Sequence, residues 1–188
     1  MPELLDFLTS ISPLSAALKT RLLEIIKEKE LARKEYLLTA GKICKNIYYI
    51  KRGLLRGYYF NGSREVSAWF MKEGDLCISV QSFFQQRESI ENIQAVENCL
   101  LCYISYEELQ KCYRDFPEFN VTGRILTEKY YMLSEERLLA IRLQKAQDRY
   151  KWLLDHHPDL VKRVPVKYLA SYIGITDVML SVVRGKNN

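Results

Sequence analysis

No stretch of this sequence approaches the ~18 uninterrupted apolar residues that a membrane-spanning helix needs. Met1 to Ser10 carries Glu3 and Asp6 but no basic residue, which excludes a secretory signal. A cytoplasmic protein is expected. Histidine is nearly missing. His156 and His157 are adjacent and stand just before Pro158, which suits a helix end and lacks the separated ligands of a metal enzyme. The five cysteines (Cys44, Cys77, Cys99, Cys102, Cys112) are an odd number in a chain without an export signal, which favours reduced thiols over a disulfide framework. Cys99 and Cys102 form a CxxC, yet no second pair or nearby histidine completes four ligands, and CLLCYI reads as a buried strand whose residues three apart point to opposite faces. No metal and no cofactor are expected. No serine, cysteine or carboxylate has a visible base at catalytic spacing, so no catalytic residue is named and an enzyme is not expected.

What is present is a chain of 188 residues, long enough for a core-bearing domain of typical size plus a small second module, and 48% apolar, which excludes disorder. Its charge is uneven. Residues 1–141 hold 19 Lys/Arg and 19 Asp/Glu, whereas residues 142–188 hold 9 Lys/Arg against 4 Asp, so the net charge of +5 resides in the tail. A neutral front with a basic tail is the footprint of a phosphate-binding module, because each neutralised phosphate releases condensed counterions.

The tail segment RVPVKYLASYIGITDVMLSVVR, residues 163–184, points at DNA. Counted from Val166, Ala170, Gly174 and Leu180 occupy the fifth, ninth and fifteenth positions of a helix-turn-helix. Ala170 is small enough to let two helices cross closely, Gly174 can take the positive φ of a tight turn, and Leu180 with Val183 packs the second helix on Leu169 and Ile173. Thr176 suits the N-cap of that helix, and Asp177 the positive end of its dipole.

Along the chain, the first thirty residues read as helical, with Leu14, Leu18, Leu22, Ile25 and Ile26 recurring after a Ser12-Pro13 start signal. From Lys34 to Ile104 short β-rich runs alternate with glycines, and Asn61-Gly62 between LLRGYYF and SREVSAWF is a strong hairpin signal. Many short strands at this spacing predict a jelly roll or small barrel. A short amphipathic helix to about Phe116 and a long helix from about Pro117 follow. On the long helix Ile125, Met132 and Leu139 are seven apart, and Leu126, Leu133 and Ala140 form a parallel row. A heptad stripe wants a partner helix, and a second copy of the chain supplies one, so these six residues are the expected dimerisation contacts. The fold class is α+β, in three segments: 1–116, a β-roll sensor domain with leading helices; 117–145, the dimerisation helix; 146–188, the helix-turn-helix.

This order of elements resembles the Crp/Fnr family of bacterial transcription regulators over nearly the whole chain. The strings that carry the resemblance are GDLCIS at 74–79, PEFN followed by LSEERLLAIRLQKAQDRY, and RVPVKYLASYIGIT. It implies a dimer whose β-roll has the cyclic nucleotide-binding-like form and takes a small effector, whose long helices pair, and whose second tail helix enters the major groove. Double-stranded DNA, a second copy, an effector and RNA polymerase are the partners it implies.

Two departures qualify that expectation. Nucleotide-binding members carry an Arg-Ser pair in the phosphate cassette, because a cyclic phosphate needs a charge-assisted bidentate donor. Here Gly74, Asp75 and Leu76 keep the cassette's start, but Ser89 and Ile90 stand where Arg and Ser belong, and Arg87 is two residues off. Ser134 and Glu135 match the positions that touch the base. Cyclic nucleotide is therefore not the expected effector. The N-terminal cysteine cluster of the iron–sulfur members is missing too. The second departure is in the recognition helix, where Arg, Glu and Arg usually read bases and Asp177, Val178 and Val182 stand instead. DNA affinity is expected largely from Lys162, Arg163, Lys167, Arg184 and Lys186, with Thr176, Asp177 and Ser181 near the DNA and sequence discrimination weaker than usual. The sequence ends at Asn188, so no β-wing is expected after this helix. The competing expectation is a ligand-sensing or protein-interaction module whose helix-turn-helix has lost base readout.

Overall fold

The computed structural model describes residues 2–143 and 145–186. Helices α1 (Pro2–Ile11) and α2 (Ala16–Ile25) open the chain. The expected start at Ser12-Pro13 moves to Ser15, whose Oγ accepts from the Leu18 N–H at 3.2 Å and caps α2. Leu14 therefore precedes the helix, while Leu18 and Leu22 are fully buried.

Among the described residues eight strands follow: β1 (Lys27–Leu31), β2 (Tyr36–Leu38), β3 (Asn46–Arg52), β4 (Leu55–Asn61), β5 (Arg64–Met71), β6 (Leu76–Cys77), β7 (Asn92–Ala95) and β8 (Cys99–Ser105). They form two four-stranded sheets, ordered β1-β8-β3-β6 and β2-β7-β4-β5. Strand β1 lies where the sequence reads as helix. KEKEL offers no alternation, since four charged residues are exposed and only Leu31 is buried, and pairing with β8 from Lys27↔Tyr103 to Leu31↔Cys99 makes it an edge strand. Charge on an edge strand blocks further pairing without disturbing the core. A short helix absent from the sequence reading, α3 (Val80–Gln85), interrupts the roll after β6.

Helices α4 (Tyr106–Asp115) and α5 (Phe119–Arg142) come next, close to the expected positions, followed by α6 (Ala146–His156), α7 (Pro158–Arg163), α8 (Val166–Tyr172) and α9 (Asp177–Lys186). Ser105 caps α4 by accepting from the Glu108 N–H at 3.2 Å. Among the described residues no single helix is long and apolar enough to cross a membrane.

The chain falls into two compact units, residues 1–57 with 70–128, and residues 58–69 with 129–188. The first has its own core, in which Leu18, Leu22, Ile50, Leu54, Leu101 and Ile93 are fully buried. In the second, Leu153, Leu169 and Leu180 are fully buried. The tip of the β4–β5 hairpin thus groups with the C-terminal helices, a pairing between segments some hundred residues apart that a reading along the chain divides at 116 and 145. All five cysteines are buried thiols.

Candidate functional site

In the first unit, Gly74 lies in a turn at φ +85°, and Asp75 closes that turn on itself: its carboxylate accepts from the Lys72 N–H at 3.0 Å and its backbone oxygen from the Ile50 N–H at 3.0 Å. Leu76 follows in β6, opposite Tyr49. The loop after α3 then folds back. The Ser89 N–H donates to Lys42 O at 2.9 Å, and Ser89 O accepts from the Gly41 N–H at 2.8 Å, which draws Ser89 into the interior. Its hydroxyl lies 2.9 Å from that of buried Ser79, and Ser79 Oγ donates to Glu91 Oε2 at 2.8 Å. Glu91 thereby sets a carboxylate against the hydroxyl pair. Ile90, next to Ser89, is 72% exposed, and the Arg87 side chain is exposed while its carbonyl accepts from Ser82 Oγ at 2.5 Å. Of the expected effector residues, Ser134 and Glu135 are exposed on α5 in the second unit.

On α5 the six heptad residues divide. Met132 and Leu139 are largely exposed, Leu133 is 40% exposed, and Tyr131 and Leu138 extend the same outward arc. Ile125 is half-buried. Leu126 instead lines an apolar cavity of about 40 Å³ with Leu4, Leu8, Tyr113 and Phe119, and Ala140 is buried within its own chain.

The second unit positions α8 and α9 by several polar ties. The two helix axes bend by 101° across a four-residue connection. Ala170, Ile173, Leu180 and Val183 are buried with Leu169, and Gly174 takes φ +69°, a conformation that L side chains rarely adopt. Thr176 Oγ1 accepts from the Met179 N–H at 3.1 Å, capping α9 as its position suggested. Asp177 Oδ1 accepts from the Val178 N–H at 3.1 Å and Ser181 Oγ donates to Asp177 O at 3.0 Å, so both side chains are turned to their own helix. The outward residues of α9 are Val178, Met179, Ser181 and Val182, with Val178 70% exposed. Lys162 and Lys167 are exposed, Arg163 and Arg184 half-buried, and the Lys186 side chain lies outside the described residues.

Four side chains that sequence reasoning missed, or counted only as charge, hold this helix pair. Ser171 Oγ accepts from the Ser67 N–H at 2.8 Å and donates to Glu65 O at 3.0 Å, tying α8 to β5. Arg64 Nη2 donates to Ile175 O at 3.3 Å. Arg149 donates through Nη1 to Gly174 O at 3.0 Å and through Nε to Leu143 O at 2.6 Å. Arg137 donates through Nη2 to Ser67 O at 3.1 Å and lies over the Tyr172 ring, 4.5 Å from its centroid. Burial pulls the Arg137 guanidinium below its usual range, and the same burial pushes the Tyr172 phenol up. The sequence separations, 104 residues for Ser67 and Ser171, put these ties beyond any local signal.

Residues 28–116 match the cyclic nucleotide-binding domain family. The chain has the Crp/Fnr fold. The global regulator CLP of Xanthomonas campestris, described as responsive to c-di-GMP, superposes with TM-score 0.72 at 18% identity, over 92% of this chain and 91% of that one. FixK2 of Bradyrhizobium japonicum gives TM-score 0.72 at 15% identity, over 86% and 84%. A CooA mutant from Carboxydothermus hydrogenoformans gives 0.69 at 18%, over 95% and 81%. No curated protein matches the chain by sequence. Family and neighbours are regulatory rather than enzymatic. The Ser79–Ser89–Glu91 cluster falls between β6 and β7, within the residues that match this family, and the β4–β5 hairpin carries Arg64, Glu65 and Ser67.

Proposed function

We propose that this chain is a DNA-binding transcription regulator of the Crp/Fnr type that works as a homodimer, with α9 presented to the major groove. The observation that supports this most is the α8–α9 pair itself: a short connection with glycine at positive φ, a capped second helix, a buried inner face and an outer face left to solvent. Lys162, Arg163, Lys167, Arg184 and Lys186 supply phosphate contacts, while Thr176, Asp177 and Ser181 lie at the start of the groove-facing surface. Dimerisation rests on the outward arc of Tyr131, Met132, Leu138 and Leu139 along α5, with Ile125 and Leu133 beside it. RNA polymerase is the further partner of a regulator of this kind.

The cyclic nucleotide-binding domain acts as an effector domain that does not take cyclic AMP in the usual way. A cyclic phosphate set on the Ser79–Ser89 hydroxyls would meet the Glu91 carboxylate. Two like charges about 4 Å apart at an effective dielectric near 20 repel by about 4 kcal/mol, and position 89 holds a buried serine where an arginine would offset this.

A second reading has its own observation in favour. With Val178, Met179 and Val182 on the outward face of α9 and no arginine in the helix before Arg184, the commonest base contact is missing from its first two turns, which suits a module that binds DNA without reading it. Fluorescence anisotropy on a randomised duplex pool at two salt concentrations, with sequencing of the retained DNA, separates the two. A two-fold symmetric motif is the expected result. Retention without enrichment, collapsing at the higher salt, would leave the second reading.

A further inference from the structure

In the first unit, residues 41–45, helix α3 and residues 86–90 are tied into one stretch of surface. The Cys44 N–H donates to Ser82 Oγ at 2.8 Å, Gln86 Nε2 donates to Cys44 O at 3.4 Å, and Ile43 pairs with Glu88 in an antiparallel bridge. Extended backbone sends successive side chains to opposite sides. Since Cys44 and Ser89 are buried, Ile43, Glu88 and Ile90 stand on the solvent side. On α3, Ser82 and Phe83 are buried, whereas Val80 and Phe84, four apart and so on one helical stripe, are 60% and 54% exposed. Four large apolar side chains thus meet water on segments that are bonded to one another, and apolar surface gathered in this way marks an interaction site.

The charges around these side chains narrow the occupant. Within residues 41–45 and 80–90, Lys42, Lys45 and Arg87 are exposed cations, and Glu88 is the sole carboxylate. Glu91, just beyond, is turned to Ser79. An excess of cations around an apolar centre complements an anionic surface. Lysine is depleted from protein–protein interfaces, whereas Lys and Arg beside Phe and aliphatic residues are the composition of faces that lie on anionic lipid. Their long stems can follow the acyl boundary while the charged ends reach the headgroups.

We propose that this face docks peripherally on an anionic phospholipid membrane, with Ile43, Val80, Phe84 and Ile90 entering the boundary between headgroups and acyl chains and Lys42, Lys45 and Arg87 meeting lipid phosphates. None of these residues belongs to the set assigned to DNA, and the face does not depend on α9 reading bases.

Vesicles of phosphatidylglycerol mixed with phosphatidylcholine are the probe, incubated with the full chain at about 0.15 M salt and floated on a density gradient. Binding to the mixed vesicles, and not to pure phosphatidylcholine, is expected. Val80→Ser with Phe84→Ser removes apolar surface at exposed positions and is expected to weaken partition at least about tenfold. Lys42→Gln with Lys45→Gln is expected to weaken it about fivefold per cation. Lys27→Gln with Lys29→Gln makes the same change of charge on the exposed strand β1 and is expected to stay within about twofold of wild type, the scale of a screened surface charge. The serine pair and the lysine pair report independently, so a failure of one to fold leaves the other as the test. Equal losses in the two lysine pairs, or undiminished binding of Val80→Ser with Phe84→Ser, would overturn the face in favour of diffuse charge, the basic tail included. No binding to the mixed vesicles would overturn membrane docking and leave the patch to an acidic protein partner.

Discussion

Replacing Ser171 with alanine tests whether the β4–β5 hairpin and α8 form one folding unit. Ser171 Oγ makes two bonds to β5, one to the Ser67 N–H and one to Glu65 O, and Ser67 is fully buried. Two neutral hydrogen bonds contribute about 1 kcal/mol each, and stripping a buried N–H of its acceptor adds a desolvation cost, so a loss of about 2–3 kcal/mol is expected. The readout is convenient. The chain has two tryptophans, Trp69 on β5 and Trp152 on α6, and both belong to the second unit. Urea unfolding followed by tryptophan fluorescence therefore reports that unit, with the midpoint shift converted through an unchanged slope. Ser181→Ala is the control, since its exposed hydroxyl bonds only within α9, and it is expected to stay within about 0.5 kcal/mol of wild type. A Ser171→Ala midpoint indistinguishable from that of Ser181→Ala would refute the clamp.

Gly174→Ala is expected to destabilise the same fluorescence transition by about 1–2 kcal/mol, because φ is +69° and the new Cβ would lie 3.3 Å from Arg149 Nη1. Burial raises the Tyr48 phenol to about 12. Since the folded value exceeds the unfolded one near 10, its stabilisation is complete below about pH 10 and is lost as pH rises toward 12; Tyr48→Phe should remove a late-titrating component from the ultraviolet titration of the tyrosines. Leu139→Glu, at a position 63% exposed, is expected to leave the fold intact by circular dichroism and shift the chain from dimer to monomer in sedimentation equilibrium; a wild-type monomer, or a dimeric variant, would refute pairing through α5.

Strong local signals carried the sequence reading where each element is specified by its own residues. Asn61-Gly62 lies at the β4–β5 turn, the alternating runs became strands, and Ala170, Gly174, Leu180 and Val183 fell where a close crossing requires them. The misread parts are those whose structure is imposed from elsewhere. β1 is a strand because β8 offers an edge, not because KEKEL favours one. Leu126 and Ala140 fit the heptad as well as Met132 and Leu139 do, and only packing within the chain tells the inward pair from the outward pair. Glu91 carried no motif either, and its importance appears only once Ser79 and Ser89 are brought together.

The basic tail illustrates how composition overstates function. Arg149 was one of nine tail cations, yet it donates to the carbonyls of Leu143 and Gly174, and so part of the positive charge that marks the segment as phosphate-binding is committed to holding the α8–α9 turn in shape. Arg64 does the same from the hairpin. A guanidinium seated on backbone carbonyls can reach a phosphate only by giving up those bonds or by using its remaining N–H groups. Counterion release scales with the phosphates actually neutralised. The salt dependence of DNA binding should accordingly follow Lys162, Arg163, Lys167, Arg184 and Lys186 rather than the nine charges of the tail.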